Sequence, residues 1–288
     1  MRSFVKRMAV GGLLLTLSAA AQAELLYGVT TRNGLLRFDS AAPGAVSAVA
    51  ISGLAVGENV LGIDVRPLTN ELYGLGSLNN VYKIDPLSGA ATLVKDPLGT
   101  PFALSGESFG FDFNPVPDRI RVTSDARQNL RLNPDTGALA ATDGTLTFAV
   151  GDLNEGATPF VVGSAYTNSV SPPPLTTTLY NIDAGLDALL IQTPPNDGVL
   201  VTVGALGVDT SDLVGFDISG VSGVAFAALA IERSNESALY SIDLASGAAS
   251  LIGTIGGGRP YIRGLAVAPE PGSLALLALG ALGFRRRR

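Results

Sequence analysis

The chain contains no cysteine and no histidine among its 288 residues, and the two absences exclude a great deal of chemistry. Without thiolate or imidazole, zinc, copper, haem and iron–sulfur sites of the usual kinds have no ligands. Serine–histidine and cysteine–histidine nucleophilic catalysis go with them. Without cysteine no disulfide staples the fold, so the folded part must bury an adequate core by itself. Tryptophan is also missing, and charged residues make up only 15% of the chain. Aspartate and asparagine are plentiful, so oxygen-ligated calcium stays compatible with this composition as a cofactor.

What is present is concentrated at the two ends and in a repeat between them. Arg2, Lys6 and Arg7 precede an apolar run from Met8 to Ala20, and Ala21-Gln22-Ala23 places small residues three and one before a cut. That is the layout of a secretory signal peptide over residues 1–23, with cleavage expected after Ala23 and Glu24 as the first mature residue. At the other end Pro269-Glu270-Pro271 leads into an apolar stretch from Leu274 to Phe284 and then Arg285–Arg288. About 11 apolar residues make only ~16 Å of helix, too short for a permanent span. This order closely resembles the PEP-CTERM sorting signal. The resemblance implies secretion machinery and an exosortase-type enzyme as partners, cleavage near Pro269-Glu270-Pro271, transient association with the inner membrane of a Gram-negative bacterium, and a final place at the cell surface or outside the cell.

The end segments hold seven of the 19 basic residues and only Glu270 of the 25 acidic ones, leaving residues 24–268 with 12 basic and 24 acidic side chains, net about −12. A surface of that sign argues against nucleic acid as a partner.

Between the ends the sequence repeats itself. One unit reads Leu61-Gly62-Ile63-Asp64-Val65, Phe109-Gly110-Phe111-Asp112-Phe113, Val162-Gly163-Ser164-Ala165-Tyr166, Val214-Gly215-Phe216-Asp217-Ile218 and Arg263-Gly264-Leu265-Ala266-Val267, with glycines 48, 53, 52 and 49 residues apart. Interleaved with it are strands ending on a polar residue and closing on a glycine turn, such as Val81–Asp85 with Gly89, Leu130–Asn133 with Gly137 and Leu239–Asp243 with Gly247. The period and four strands per repeat predict an all-β, five-bladed β-propeller. The mature chain begins on a second strand, Leu25–Gly28, and ends on an unpartnered first strand, Arg263–Val267. Pairing those two would close the last blade from both termini and leave no open edge.

The repeated core resembles the DUF4394 family, a bacterial domain of unknown function. The stretches carrying the resemblance are Leu61–Pro67, Phe109–Pro115, Asp118–Val122, Gln128–Pro134 and Gln192–Gly198. The family brings no catalytic residues to carry over.

Candidate site residues come instead from local chemistry. The loop Ser124-Asp125-Ala126-Arg127-Gln128-Asn129 combines a carboxylate, a guanidinium and amides, a set suited to sugar hydroxyls or an acidic polysaccharide. Asp152 is expected on the same face, and paired acids such as Asp125 and Asp152 could serve glycoside chemistry. Asp64, Asp112 and Asp217 should face a seam between blades or the central channel, where they could hold a cation or accept backbone hydrogen bonds. The leading expectation is a non-enzymatic envelope or matrix protein that recognises exopolysaccharide in a biofilm. The alternative is a carbohydrate-active hydrolase or lyase using acidic residues and calcium.

Overall fold

The computed structural model describes residues 23–231, 236–257 and 260–268. The first strands are β1 (Leu25–Thr30), β2 (Gly34–Asp39) and β3 (Ala42–Ala50). The first complete blade is β4 (Val60–Arg66), β5 (Glu71–Gly76), β6 (Asn80–Ile84) and β7 (Ala91–Val94). The second is β8 (Phe109–Asn114), β9 (Arg119–Ser124), β10 (Asn129–Leu132) and β11 (Leu139–Thr142). The third runs from β13 (Val161–Tyr166) through β14 (Leu179–Asp183) and β15 (Ala188–Gln192) to β16 (Val199–Ala205), with β12 (Thr147–Phe148) added in parallel outside β16. The fourth is β17 (Thr210–Ile218), β18 (Ala225–Ile231), β19 (Ser237–Ile242) and β20 (Ala249–Thr254). Finally β21 (Ile262–Val267) pairs antiparallel with β1, matching Leu26 with Val267 and Gly28 with Leu265, so the sheet order is β21-β1-β2-β3. The chain is a five-bladed propeller whose closing blade is built from both ends of the folded region.

Burial follows position in the blade. The inner strands are buried on both faces, β13 at every residue, whereas the outer strand β11 alternates half-buried with exposed. Most of the hydrophobic core therefore lies in seams between blades. One cluster joins Tyr27, Val29 and Leu35 of the closing blade to Val60, Ile63 and Leu72 of the first. Another joins Tyr73, Leu75 and Val81 of the first blade to Phe111, Phe113 and Ile120 of the second.

Two glycine sets let the blades come this close. At the axis, a Cβ on Gly62 would lie 2.7 Å from Phe111 Cβ, and one on Gly215 only 2.6 Å from the Leu265 backbone nitrogen. At the rim, the turn glycines take positive φ, +74° at Gly89 and +84° at Gly247, and also abut the outer strand of the preceding blade. Gly89 answers both demands: its carbonyl accepts from Ser52 N–H, and only a residue without Cβ suits both the turn and the contact.

The seam between the second and third blades is polar. Arg121, the largest fully buried side chain, donates to Tyr166 Oη (3.2 Å), Asn129 Oδ1 (2.7 Å), Asp143 Oδ2 (2.6 Å) and Asn196 Oδ1 (2.8 Å). Thr123 and Ser164 hydroxyls meet at 2.7 Å, and Ser164 continues to Asn181, Gln192 and the Pro195 carbonyl. A fully satisfied network of this kind fixes one mutual placement of two sheets.

Candidate functional site

The axis of the ring has two mouths separated by the glycine constriction of Gly62, Gly110, Gly163, Gly215 and Gly264, which leaves only about 10 Å³. Where the inner strands begin, a cavity of about 180 Å³ is lined by Leu61, Glu107, Ser108, Phe109, Val162, Asp212, Leu213 and Arg263. Where they end, a cavity of about 280 Å³ is lined by Asp64, Asp217, Asn70, Ser169, Ser171 and Ser219, among others.

The polar loop after β9 borders the first mouth, but most of its side chains are committed to the protein itself. Asp125 accepts from Glu107 N–H through both oxygens (3.0 and 3.3 Å), holding the segment that forms the mouth. Ser124 Oγ accepts from Gln128 N–H, and Gln128 bridges the Ala103 carbonyl and Ser105 N–H. Asn129 is buried, and its amide donates to the Gly144 and Pro195 carbonyls. Arg127, exposed and at φ +64°, makes no side-chain hydrogen bond or ion pair among the described residues. Asp152 does not join this group, because its carboxylate takes Asn154 N–H, Thr202 N–H and Thr202 Oγ1 on the outer edge of the third blade. Asp125 and Asp152 thus each hold backbone N–H groups, the first that of Glu107 and the second those of Asn154 and Thr202. Truncating Asn129 to alanine should cost about 1–3 kcal/mol through the orphaned partners, while Arg127→Ala should stay within about 0.5 kcal/mol. Chemical denaturation of the two variants checks this, and equal midpoints would refute it.

The sequence reading passed over Arg263, Asp212, Glu107 and Ser108. One signal was available, because the position before the inner-strand glycine is Leu61, Phe109, Val162 and Val214 in four blades and Arg263 in the fifth. Arg263 Nε is buried in this mouth and has no hydrogen-bond partner among the described residues. Burial holds the guanidinium below its ordinary range, with Asp212 pulling the other way. Ser108 Oγ donates to Asp212 Oδ2 at 3.2 Å, aligning that carboxylate across the opening.

At the other end of the constriction Asp64, Asp112 and Asp217 come together, each buried, with a carboxylate oxygen of each within 4.8 Å of those of the others. Their bonds follow a rule set by the ring. Each aspartate accepts the N–H that follows the equivalent position in the next blade: Asp64 from Phe113 (2.7 Å), Asp112 from Tyr166 (3.0 Å), Asp217 from Val267 (2.6 Å). The third and closing blades carry Ala165 and Ala266 instead, so the following N–H groups, of Ile218 and Val65, turn to the aspartate beside them at 2.6 Å each. Five donors thus meet six oxygens, and Asp112 Oδ2 is left over.

Burial, then the charge of Asp217, pushes Asp64 well above the carboxylate range; burial, then Asp64 and Asp217, does the same to Asp112. Burial carries Asp217 up to about 7 against its two N–H bonds, with Glu24 adding to the rise. A carboxyl whose folded pKa is raised binds more protons than the unfolded chain, so its stabilising effect is complete below about pH 4 and is lost as pH rises through the folded value. In buffer free of divalent cations the melting temperature should fall between about pH 4 and 7 and continue to fall above it. A flat or rising profile in thermal scans would contradict this. The charged or titratable neighbours are Glu24 at Asp217 and Tyr166, bonded to Arg121, at Asp112.

The description "Domain of unknown function (DUF4394)" matches residues 34–266. The chain belongs to this family. The PEP-CTERM protein-sorting motif matches residues 267–288 and marks a protein that is exported, sorted to the surface and processed by exosortase-type machinery. Pro269, Glu270 and Pro271 lie outside the described residues. Ala23 is exposed, whereas Glu24 is buried, its N–H on Ser40 Oγ (2.9 Å) and its carboxylate accepting from Ser222 Oγ (2.5 Å). No curated protein matches the chain. Among solved structures, a Bacteroides thetaiotaomicron protein of unknown function is 16% identical over 81% of this chain and 58% of its own, with a TM-score of 0.48. PorZ, a surface component of the type-IX secretion system of Porphyromonas gingivalis, is 15% identical over 80% of this chain and 28% of its own, with a TM-score of 0.38. The DUF4394 chain thus spans less than two thirds of either protein.

Proposed function

We propose that this DUF4394 protein is a non-enzymatic recognition propeller of the cell surface or extracellular matrix, transiently held at the membrane by its tail and then bound to exopolysaccharide through the mouth at the start of the inner strands. The sorting motif supports the address. The observation carrying the ligand class is Arg263, whose Nε is a buried donor without a partner among the described residues, in a mouth that also presents Glu107, Ser108 and Asp212. A guanidinium beside carboxylates and a hydroxyl suits an acidic sugar, whose carboxylate takes the cation while its hydroxyls take the acceptors. Arg127 on the bordering loop offers a second, exposed cation.

The test is to incubate the purified chain with the exopolysaccharide of the producing cells and follow both retention and polymer length. Retention without shortening is expected; shortening would assign the chain to the hydrolases or lyases, and neither would refute the reading. Arg263→Met should weaken retention about ten-fold or more, as loss of a charge-assisted bond worth ~1.5–3 kcal/mol requires. Its melting temperature should hold or rise, because a half-buried cation without a hydrogen-bond partner at Nε is removed.

A further inference from the structure

We propose that Asp64, Asp112 and Asp217 form a site for one divalent cation of the calcium class at the inner-strand-end mouth of the axis. The site lies across the glycine constriction from the mouth assigned to glycan, and it does not depend on that assignment.

Three features of this mouth converge on it. The first is the leftover oxygen. The ring supplies one inward N–H per blade, and these give one donor to each oxygen of Asp64 and of Asp217 but to only one oxygen of Asp112, so the first two keep lone pairs for an ion and the third has a bare oxygen. Asp112 is 1% exposed, so water at the surface does not satisfy Oδ2, and the charges acting on this carboxylate are those of Asp64 and Asp217. A buried acceptor left without a donor is rare in a folded protein and calls for an ion, a water or a proton.

The second is charge. No lysine or arginine among the described residues bonds any of the three carboxylates. Like charges this close and this dry cannot all persist without a cation or protons between them. Five backbone N–H dipoles orient the carboxylates, but they carry no net charge.

The third is size and access. Calcium takes six to eight oxygens at about 2.3–2.6 Å, so two oxygens on one ion can stand nearly 5 Å apart; magnesium, at about 2.0–2.1 Å with strict octahedral geometry, requires a tighter set. The carboxylate oxygens, all within 4.8 Å of one another, can meet on one ion of the larger size without moving. The adjoining cavity of about 280 Å³ has Asp64 and Asp217 on its wall beside Asn70, Ser169, Ser171 and Ser219, which gives the ion a path from solvent and room for waters to complete its shell. Because each aspartate also holds the next blade's inner strand, an ion here would tie the first, second and fourth inner strands together.

The experiment uses the purified full chain, stripped with a chelator and titrated at pH 7.5 with calcium chloride alone or magnesium chloride alone, read by calorimetry and by thermal melting. One calcium per chain is expected, with a rise in melting temperature and at least ten-fold weaker binding of magnesium. Asp112→Asn keeps an oxygen for Tyr166 N–H and removes one like charge, so it should fold and melt at or above the calcium-free parent while losing calcium affinity ten-fold or more. Arg263→Met should bind calcium as the parent does, which separates this site from the glycan mouth. Absence of calcium binding with a melting temperature indifferent to calcium would overturn the proposal in favour of shared protons. An unchanged calcium response in Asp112→Asn would also overturn it, as would magnesium binding as tightly as calcium.

Discussion

Deleting residues 262–268 should abolish cooperative melting, and deleting residues 24–30 should do the same, although the two segments lie at opposite ends of the folded chain. Each deletion removes one side of the ladder that pairs Leu26 with Val267 and Gly28 with Leu265. The losses are of similar kind. β21 contributes the buried Ile262, Leu265 and Ala266, and β1 contributes Leu26, Tyr27 and Val29. Fully buried apolar side chains are worth about 1.5–3 kcal/mol each, so either deletion removes an amount comparable with a whole domain's net stability of about 5–15 kcal/mol. It also exposes an unpaired inner strand edge. The β21 deletion further takes away Val267 N–H and returns one oxygen of Asp217 to the unsatisfied state. Thermal scans and light scattering read the outcome; a truncated chain that melts cooperatively at the parent's temperature would refute the shared blade.

Arg121→Met should be the most damaging single substitution in the polar seam. The methionine fills much of the space but strands Tyr166 Oη, Asn129 Oδ1 and Asn196 Oδ1, and leaves Asp143 with Arg131 as its remaining partner. Breaking a buried charged network by removing one member costs about 3–5 kcal/mol. At roughly 2–4 °C per kcal/mol for a chain of this size, the melting temperature should drop by roughly 6–20 °C. Lysine should rescue little, because one ammonium cannot reproduce a planar fork aimed at four acceptors. A loss below about 1 kcal/mol for Arg121→Met would mean that the seam is held by something other than this network.

The ring and its closure were legible because they rest on period. Inner-strand glycines at regular spacing and turn glycines after Asp85, Asn133 and Asp243 are demanded by backbone approach, and backbone demands leave a direct mark on residue type. The parallel addition of β12 was not legible, since two residues are too short to show alternation. Nor was the fate of the loop Ser124–Asn129. Its composition is the same whether the amides face a ligand or a neighbouring carbonyl, and only the geometry shows Gln128 on Ala103 and Asn129 on Gly144 and Pro195. Three of the five stretches that carried the family resemblance, Asp118–Val122, Gln128–Pro134 and Gln192–Gly198, now have a physical meaning. They supply Arg121, Asn129, Gln192 and Asn196 to one buried seam, and Asp118 to the ion pair with Arg66. Those three identify the fold and stay silent about the ligand, whereas the other two, Leu61–Pro67 and Phe109–Pro115, carry Asp64 and Asp112 to the axis, and Arg263 departs from the apolar residue that precedes the inner-strand glycine in the other blades.

The ladder between β1 and β21 also sets the order in which the molecule can assemble. Leu26 and Val267 stand 241 positions apart, and joining the ends of a loop that long costs about 5 kcal/mol of chain entropy beyond a constant term. Each of the four intervening blades is a local meander of neighbouring strands, so blades formed before the ladder closes would remove most of that cost. β1 and β2 must then wait, one edge of their sheet unpaired, until the last strand of the domain has been delivered. During passage across a membrane from the N-terminus onward, that waiting edge is what a chaperone or a second copy of the chain would encounter, and the arrival of Ile262–Val267 is the event that removes it.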